Sequence, residues 1–410
     1  MKIAPAKSTK SRHKSWRTPD VWSISLSAFF ADLGYQSVLA AFPLFLVIYL
    51  HRPVWEYGLA MALSYGGGAL FSLIGARIGD RIGHRRLALI GNSFIPLLSL
   101  SALIANPAWA IGLLTGGWWA RNLRSPSRRV MLNRTVTAEE HRTTVFGFLH
   151  ALDVGGAAAA AILVIIAIQK GVSFRLLFLF TIVPLVLSTV MLLRTGKDTS
   201  ERRNQQIETS EEARQTVKIR QTGGARAIFV STALYGFTFY SIGFPVLTIA
   251  QKTGSRSSGI AAFLVFQAFS AATGYLLARR LGATLVRRFI NLGLLGYLVS
   301  AIGALVLVAD IHYRLGTTEY LVGIAILGFA LGVIETLEPS LIAVLSKNQP
   351  AGRAFGALSF SRSIGLFVGN LVMGLLYQLG PSWSYGYASV MAAIAAVIVV
   401  VAANSLGPKE

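Results

Sequence analysis

The sequence predicts an all-α membrane protein with twelve transmembrane helices, arranged as two pseudo-symmetric six-helix bundles. Three observations support this fold class: a low charged fraction, long apolar blocks, and motifs that recur between the two halves of the chain. Of the 410 residues, 54% are hydrophobic and only 13% are charged, whereas about a quarter of the residues in a soluble domain are charged. Water is therefore not the main solvent of this chain.

Apolar blocks separated by charged or Gly- and Pro-containing breaks define the predicted helices. Blocks such as 21–50 and 144–169 exceed the roughly 20 residues that a helix needs to cross the hydrocarbon core of a bilayer. We expect helices at 21–50, 55–77, 87–105, 108–125, 144–169, 172–193, 226–251, 257–279, 288–309, 319–346, 354–379 and 383–404.

A long polar break separates the sixth predicted helix from the seventh. It is rich in Glu, Arg, Gln and Thr, and it divides the chain into two halves of six helices each. The expected domains are an N-terminal tail at 1–20, a first half at 21–193, a linker at 194–225, a second half at 226–404, and a C-terminal tail at 405–410.

Internal repeats relate the two halves. The residues FGFL at 146–149 recur as FGAL at 355–358, and the same offset of 209 relates Asp153 to Arg362 and Gly156 to Gly365. Two parallel halves related by an axis along the membrane normal are one of the two repeat arrangements found in transporters.

The distribution of Lys and Arg predicts the orientation. Basic residues are retained on the cytoplasmic side of membrane proteins, and only six of the 38 fall on the other side of the pattern, namely Arg52, Lys170, Arg175, Lys252, Arg256 and Arg314. Both termini and the linker are therefore expected in the cytoplasm of a cell whose inner (plasma) membrane holds the chain.

Several function classes are excluded by composition. The net charge of +21 lies in short segments between apolar blocks rather than on one face of a soluble domain, which argues against a nucleic-acid partner. The chain has no cysteine and only six scattered histidines, so neither a metal site nor a cofactor is predicted. No nucleophile and base can be assembled from the spans, so we do not expect an enzyme.

The turn between the second and third predicted helices carries the motif GARIGDRIGHRR, residues 75–86. It resembles the signature of the major facilitator superfamily, with Ala76 where the family has its leading Gly. The resemblance implies a gating latch between the halves, formed in the outward-facing state by Asp80, Arg81, Gly83, Arg85 and Arg86. The alternative is a basic cluster that only anchors the turn in the cytoplasm.

A second stretch resembles a bacterial and archaeal permease branch of the same superfamily. The matching residues are Arg124, Pro126, Arg128, Arg142, Phe146, Gly147, Leu152, Asp153 and Gly156. Antiporter members often have a Gly-Pro pair in the fifth helix, whereas this chain has Gly155 and Gly156 followed by alanines. Such small residues are typical of closely packed helices.

Ionisable groups inside membrane spans are costly and usually functional. The candidates for a substrate or proton site are Asp32, Tyr35, Gln36, Arg124, His150, Asp153, Glu335, Glu338 and Arg362. Asp153 and Arg362 are repeat-equivalent, so they are expected either to neutralise each other between the halves or to take part in coupling. Glu335 and Glu338 are expected to form a coupled pair or to lie near the extracellular half of their helix.

These features predict a secondary active transporter that moves a small-molecule solute by alternating access. We expect protons as the coupling partner, an exporter or antiporter direction, membrane lipids as neighbours and a monomer. The alternatives are a facilitator or symporter for a polar metabolite, and a non-transporting scaffold or sensor with the same fold. Fold alone does not select the solute.

Overall fold

A computed structural model of the chain describes residues 17–135, 139–196, 223–239, 242–277, 284–345 and 351–405. In the first half, α1 spans Pro19–Tyr49 and α2 spans Val54–Ile82, with α3 at 84–100. Next come α4 at Pro107–Thr135 and α5 at Glu139–Gln169, followed by α6 at Phe174–Leu193.

The second half repeats this series of helices. Its first helix, α7, is described in two parts, Gly223–Phe239 and Gly243–Thr253. The remaining helices are α8 at Arg256–Leu277, α9 at Leu285–Tyr313, α10 at Thr317–Leu345, α11 at Ala351–Leu379 and α12 at Pro381–Ser405. The predicted tails and most of the predicted linker lie outside the described residues.

Most predicted boundaries agree with the structure within a few residues, and α4 is the main exception. We predicted its end at residue 125, but the helix continues to Thr135. Arginines 128, 129 and 134, which lie beyond the predicted end, are therefore part of the same helix as Arg121 and Arg124. The prediction was wrong here because the density of arginines hid the continuing helix.

Nine of the described helices are long and apolar enough to cross a membrane. The other three predicted spans correspond to α3, α4 and α7. These segments differ from the nine helices in length, charge or continuity. The count of twelve transmembrane helices therefore stays a prediction, while the all-helical membrane fold is confirmed.

The two halves pack their helices in the same order. In the first half α1 lies against α5 and α6, and α4 lies against α2 and α3; in the second half α7 lies against α11 and α12, and α10 against α8 and α9. Large apolar side chains such as Leu70, Phe180, Val183 and Leu305 remain exposed on the outside. An exposed apolar surface around buried polar groups is what a bilayer requires.

Equivalent glycines allow close approach of the equivalent helix pairs. A Cβ on Gly156 of α5 would meet the Asp32 Cβ of α1 at 3.0 Å as well as the Phe29 carbonyl, and a Cβ on Gly365 of α11 would overlap the Ala233 carbonyl of α7. The repeat thus fixes helix spacing as well as helix order, and in the first half it sets the position of Asp32.

The halves meet at the face that is predicted to be extracellular. There Tyr57 of α2 packs edge-on against Phe244 of α7 with ring centroids 5.2 Å apart. Arg256 of α8 lies 5.4 Å from the ring centroid of Phe174 in α6. A Cβ on Gly374 of α11 would lie 3.0 Å from the Gly58 Cα of α2, so these two backbones approach closely. This face is closed in the structure.

Candidate functional site

A cluster of charged side chains lies inside the first half, where α1, α4 and α5 face one another. Asp32 and Tyr35 lie near the middle of α1, Asp153 lies near the middle of α5, and the arginines come from α4. Asp32 is 5% exposed and Arg124 is 0% exposed. We call the set Asp32, Tyr35, Arg121, Arg124, Arg128 and Asp153 the N-half cluster.

Tyr35 connects the α1 carboxyl to the first arginine. Its hydroxyl donates to Asp32 Oδ1 and accepts from Arg121 Nη2 at 3.4 Å. The Arg121 guanidinium lies 5.3 Å from the Tyr35 ring centroid and 4.8 Å from that of Trp118, within the range of cation–π attraction. The two rings hold this guanidinium at the edge of the cluster, where it is half-buried.

Asp153 lies between Arg128 and Asp32. Arg128 Nη2 is 3.3 Å from each carboxylate oxygen of Asp153, and the Asp32 and Asp153 carboxyl groups are close enough to interact electrostatically. Two carboxyl groups this close resist simultaneous ionisation. The pair is therefore suited to hold one proton between α1 and α5.

Arg124 extends the cluster towards α3 and α6. Its Nη1 donates to Asn92 Oδ1 at 2.6 Å, and Asn92 Nδ2 donates to Ser188 Oγ at 3.2 Å and to Thr189 Oγ1 at 2.7 Å. Ser188 in turn donates to the Ser27 carbonyl of α1 at 2.7 Å. These neutral groups position the guanidinium but bring no negative charge.

Several buried atoms of the N-half cluster have no hydrogen-bond partner in the structure. They are Asp32 Oδ2, Arg124 Nε and Nη2, and Arg128 Nε and Nη1. Buried polar groups are normally paired, so this concentration marks a place where a further ligand or proton would be stabilised.

The second half holds a different arrangement around Glu338 of α10. This carboxylate is 0% exposed and accepts from Arg362 of α11, from Tyr297 Oη at 2.5 Å and from Thr232 Oγ1 at 3.0 Å. Tyr297 belongs to a π-helical stretch of α9, Leu292–Leu298, an irregularity that is frequent at functional sites. We call Glu338, Arg362, Tyr297 and Thr232 the C-half cluster.

The predicted pairing between Asp153 and Arg362 is replaced by two pairs within the halves. Asp153 pairs with Arg128 and Arg362 pairs with Glu338. The physical reason is proximity, since each bundle supplies an opposite charge from its own neighbouring helix.

Glu335 and Glu338 interact electrostatically, so a coupled pair stays a prediction, but their place along the helix differs from the predicted extracellular half. Both lie in the second half of α10, towards the predicted cytoplasmic face. Glu338 is bound by three donors, whereas Glu335 is exposed and lies within electrostatic reach of Arg362, His150 and Arg129. Glu335 therefore faces the junction between the halves, together with the exposed His150 of α5, and does not share the burial of Glu338.

One further predicted residue, Gln36, stays a candidate. Gln36 is half-buried on the same turn of α1 as Tyr35. Among the described residues, no three His, Asp or Glu side chains are grouped so that they could hold a metal ion.

The predicted gating motif joins α2 to α3. Gly83 has a φ of 96°, a conformation that favours glycine, and it allows the sharp turn. Asp80 Oδ1 lies 3.2 Å from His84 Nε2, and Arg85 Nη2 donates to the Leu193 carbonyl at the end of α6 at 2.9 Å. Arg81 and Arg86 are exposed. These contacts lie within the first half, so the latch between the halves stays a prediction for the outward-facing state.

Sequence reasoning missed Arg121, Arg128, Asn92 and Tyr297 as site residues. The first two had a readable signal, because positions 121, 124 and 128 are spaced by three and four residues and so share one face of a helix. Asn92 and Tyr297 gave no local signal, since their partners come from distant helices.

Two repeated series of helices with charged clusters buried inside an apolar outer surface are the architecture of a multi-pass membrane protein. The chain belongs to the Major Facilitator Superfamily, whose family model matches residues 24–311 and again 228–409. The search of curated proteins gave no match. A family of transporters also agrees with the prediction that the chain is not an enzyme.

Solved structures similar to this chain share its fold at low sequence identity. A POT family transporter in complex with 5-aminolevulinic acid is 14% identical with a TM-score of 0.75, covering 94% of this chain and 96% of that chain. A D-xylose-proton symporter is 13% identical with a TM-score of 0.73, covering 92% and 97%. The nucleoside transporter NupG is 12% identical with a TM-score of 0.66, covering 95% and 100%.

Proposed function

We propose that this chain is a proton-coupled secondary transporter that moves a small solute by alternating access, and that Asp32 and Asp153 carry the proton. The observation that supports this most strongly is that Arg128 lies 3.3 Å from both oxygens of Asp153 beside the buried Asp32 carboxyl group. A proton shared by the pair supplies a hydrogen bond at a place where Asp32 Oδ2 has no donor.

Protonation of the pair changes the partners of Arg128. With Asp153 ionised, Arg128 is held at 3.3 Å from both of its oxygens. With the pair protonated, that attraction weakens and the guanidinium becomes available to another anion. A discrete change of charge beside a helix contact is the kind of event that shifts a two-state equilibrium.

The closed face supplies the second element of alternating access. Tyr57, Phe244 and the close backbones of Gly58 and Gly374 join the halves at the predicted extracellular face. Glu335 and His150 are exposed nearer the opposite face. Rocking of one half against the other around a central site is the mechanism by which such repeats transport.

The experiment uses distance measurements between spin labels and needs no known solute. Because the chain has no cysteine, the double variant Lys170→Cys, Thr317→Cys can be labelled specifically at exposed positions on the two halves. We expect the distance to increase or decrease between acidic and alkaline pH, and the added substitution Asp32→Asn to abolish that response. A distance change that is equally large with Asp32→Asn removes Asp32 from the mechanism, and one fixed distance at every pH contradicts proton coupling and favours a scaffold.

A control pair lies within the first half. Lys170→Cys combined with Ala105→Cys joins two exposed positions of the same bundle, and its distance is expected to stay constant. A pH-dependent distance in this control pair would instead indicate that the bundle itself is deforming.

Once a solute is found, the direction of transport follows from whether protonation raises or lowers the affinity for that solute. The sequence favours an exporter or antiporter, in which proton and solute bind alternately. A symporter for a polar metabolite is the second candidate, and the excess of arginine in the N-half cluster favours it. Solute counterflow at two internal pH values separates them, because an antiporter loses and a symporter gains solute affinity on protonation.

A further inference from the structure

The N-half cluster contains more positive than negative charge. Three arginines from α4, at positions 121, 124 and 128, face two carboxyl groups, Asp32 and Asp153. With both acids ionised the set carries one excess positive charge, and with one shared proton it carries two. Ionisable groups inside membrane spans are costly, and they usually face a cavity or a substrate pathway.

Among the described residues, the other titratable groups on the helices packed against α1 and α5 lie away from the two carboxyl groups. Tyr35 of α1 is neutral, and the other helices that pack on α1 and α5 contribute Arg175, Lys252, Arg256 and Tyr275. These four residues lie close to the ends of α6, α7 and α8, away from the depth of Asp32. Lys252 is already paired, since its Nζ lies 2.6 Å from Asp310 Oδ2.

The available donors are those of guanidinium groups. Arg124 and Arg128 are 0% and 6% exposed, and each keeps two nitrogen atoms without an acceptor. Arg121 is half-buried at the edge of the cluster, with its plane fixed by Trp118 and Tyr35. A guanidinium held in this way presents paired N–H donors that fit a carboxylate or phosphate.

We infer that the transported solute carries an anionic group, a carboxylate or phosphate, and that Arg121 and Arg128 bind this group together with the uptake of about one proton by Asp32 and Asp153. This inference rests on the proposed function, which it deepens by assigning the substrate class. Protonation releases Arg128 from Asp153, and the solute anion then takes the place of that carboxylate. Anion and proton therefore bind with positive coupling, as in a symporter.

The coupling makes a specific prediction for two variants. Asp153→Asn removes the carboxylate that holds Arg128 and so mimics the protonated pair, and this variant should bind the anion at every pH as tightly as the unmodified protein does under acidic conditions. Arg121→Gln removes a charged donor and should weaken anion binding by about tenfold to a hundredfold. Arg121→Lys should have an intermediate affinity, because it keeps the charge but loses the stacking of a planar guanidinium.

The experiment measures thermal stabilisation of the purified chain by matched pairs of probes, because a ligand stabilises the folded state by mass action. Each pair consists of a carboxylate and its neutral amide, such as benzoate with benzamide and lactate with lactamide, and inorganic phosphate is a further probe. We expect stabilisation by one or more anions and not by the matched amides, strengthened at acidic pH and lost with Arg121→Gln. Arg175→Gln, an exposed arginine at the start of α6, serves as the control and should bind like the unmodified protein.

Three results would overturn the inference: stabilisation by the amides alone, equal stabilisation of Arg121→Gln, or no stabilisation by any anion at high millimolar concentration. If only the amides stabilise the chain while the distance between the labelled halves still depends on pH, proton coupling stays in place. That result removes only the anionic substrate class. Failure of the two proposals is therefore distinguishable.

Discussion

The two halves carry the same ion pair with its signs exchanged. In the first half an arginine on α4, Arg128, faces an acid on α5, Asp153; in the second half an acid on α10, Glu338, faces an arginine on α11, Arg362. Asp153 and Arg362 are repeat-equivalent, and Arg128 and Glu338 are equivalent within one residue of the same offset. The fold has thus kept a charged contact at one place while reversing its polarity.

The pairs differ most in how completely they are hydrogen-bonded. Glu338 has three donors and no exposure. Arg128 makes two long contacts, keeps two nitrogens without acceptors, and lies beside a second carboxyl. This difference supports the proposal that the N-half cluster takes up a proton and a ligand, whereas the C-half cluster stabilises its bundle.

Loss of the Glu338 carboxylate should have the largest effect on stability. Glu338→Gln removes the buried carboxylate that accepts from Arg362, and breaking a buried pair by removing one member costs about 3 kcal/mol or more. The apparent unfolding temperature in detergent measures the loss. Asp153→Asn is the matched change in the other half and should lower the unfolding temperature much less. Its neutral side chain also removes the repulsion between the Asp153 and Asp32 carboxylates. Equal destabilisation by both variants would show that the ion pairs of the two halves contribute equally to stability.

A bulkier residue at Gly156 should displace Asp32. In Gly156→Ala the new Cβ meets the Phe29 carbonyl and the Asp32 Cβ, and overpacking of this kind costs roughly 1–3 kcal/mol. We expect reduced stability together with a weakened pH response of the labelled halves. Gly155→Ala is the adjacent control, because its Cβ would have ordinary contacts of 3.9 Å with Phe29. An identical pH response in both variants would argue against Asp32 as the proton carrier.

Neutralisation of Asp153 should abolish coupling without unfolding the protein. For one proton per solute, each unit of pH difference supports about a tenfold solute gradient, equivalent to 1.36 kcal/mol. Proteoliposomes with Asp153→Asn should accumulate solute no further than passive equilibration. Accumulation that still follows the pH gradient would mean that Asp153 is not required.

Much of the fold was predictable from the sequence because the apolar blocks and the offset of 209 residues are global patterns. The end of α4 was not, since five arginines between residues 121 and 134 are typical of a loop unless their partners are known. Those partners, Asp32, Asp153 and Asn92, lie on other helices and become visible only when the bundle is assembled.

The candidate residues were predicted better than their contacts. Asp32, Asp153, Glu338 and Arg362 are all buried or half-buried charges, as expected for ionisable groups inside spans. The repeat indicated that Asp153 and Arg362 are equivalent, but equivalence gives no distance between them. Their actual partners depend on which neighbouring helix in each bundle offers the opposite charge.

Replacement of Glu335 should have the smallest effect. The side chain is exposed, and substitutions at such positions usually change stability by no more than about 0.5 kcal/mol. Glu335→Gln should therefore keep both its unfolding temperature and its pH response. Loss of the pH response in this variant would show that Glu335, at the junction between the halves, carries the proton in place of the N-half cluster.

The most direct test of the central claim is an infrared pH titration of the protonated carboxyl C=O band in the purified chain. We predict a band that disappears on alkaline titration of the unmodified protein, is absent from the double variant Asp32→Asn, Asp153→Asn, and persists in Glu338→Gln. A band that persists in the double variant and is lost in Glu338→Gln would place the proton in the second half and contradict the account.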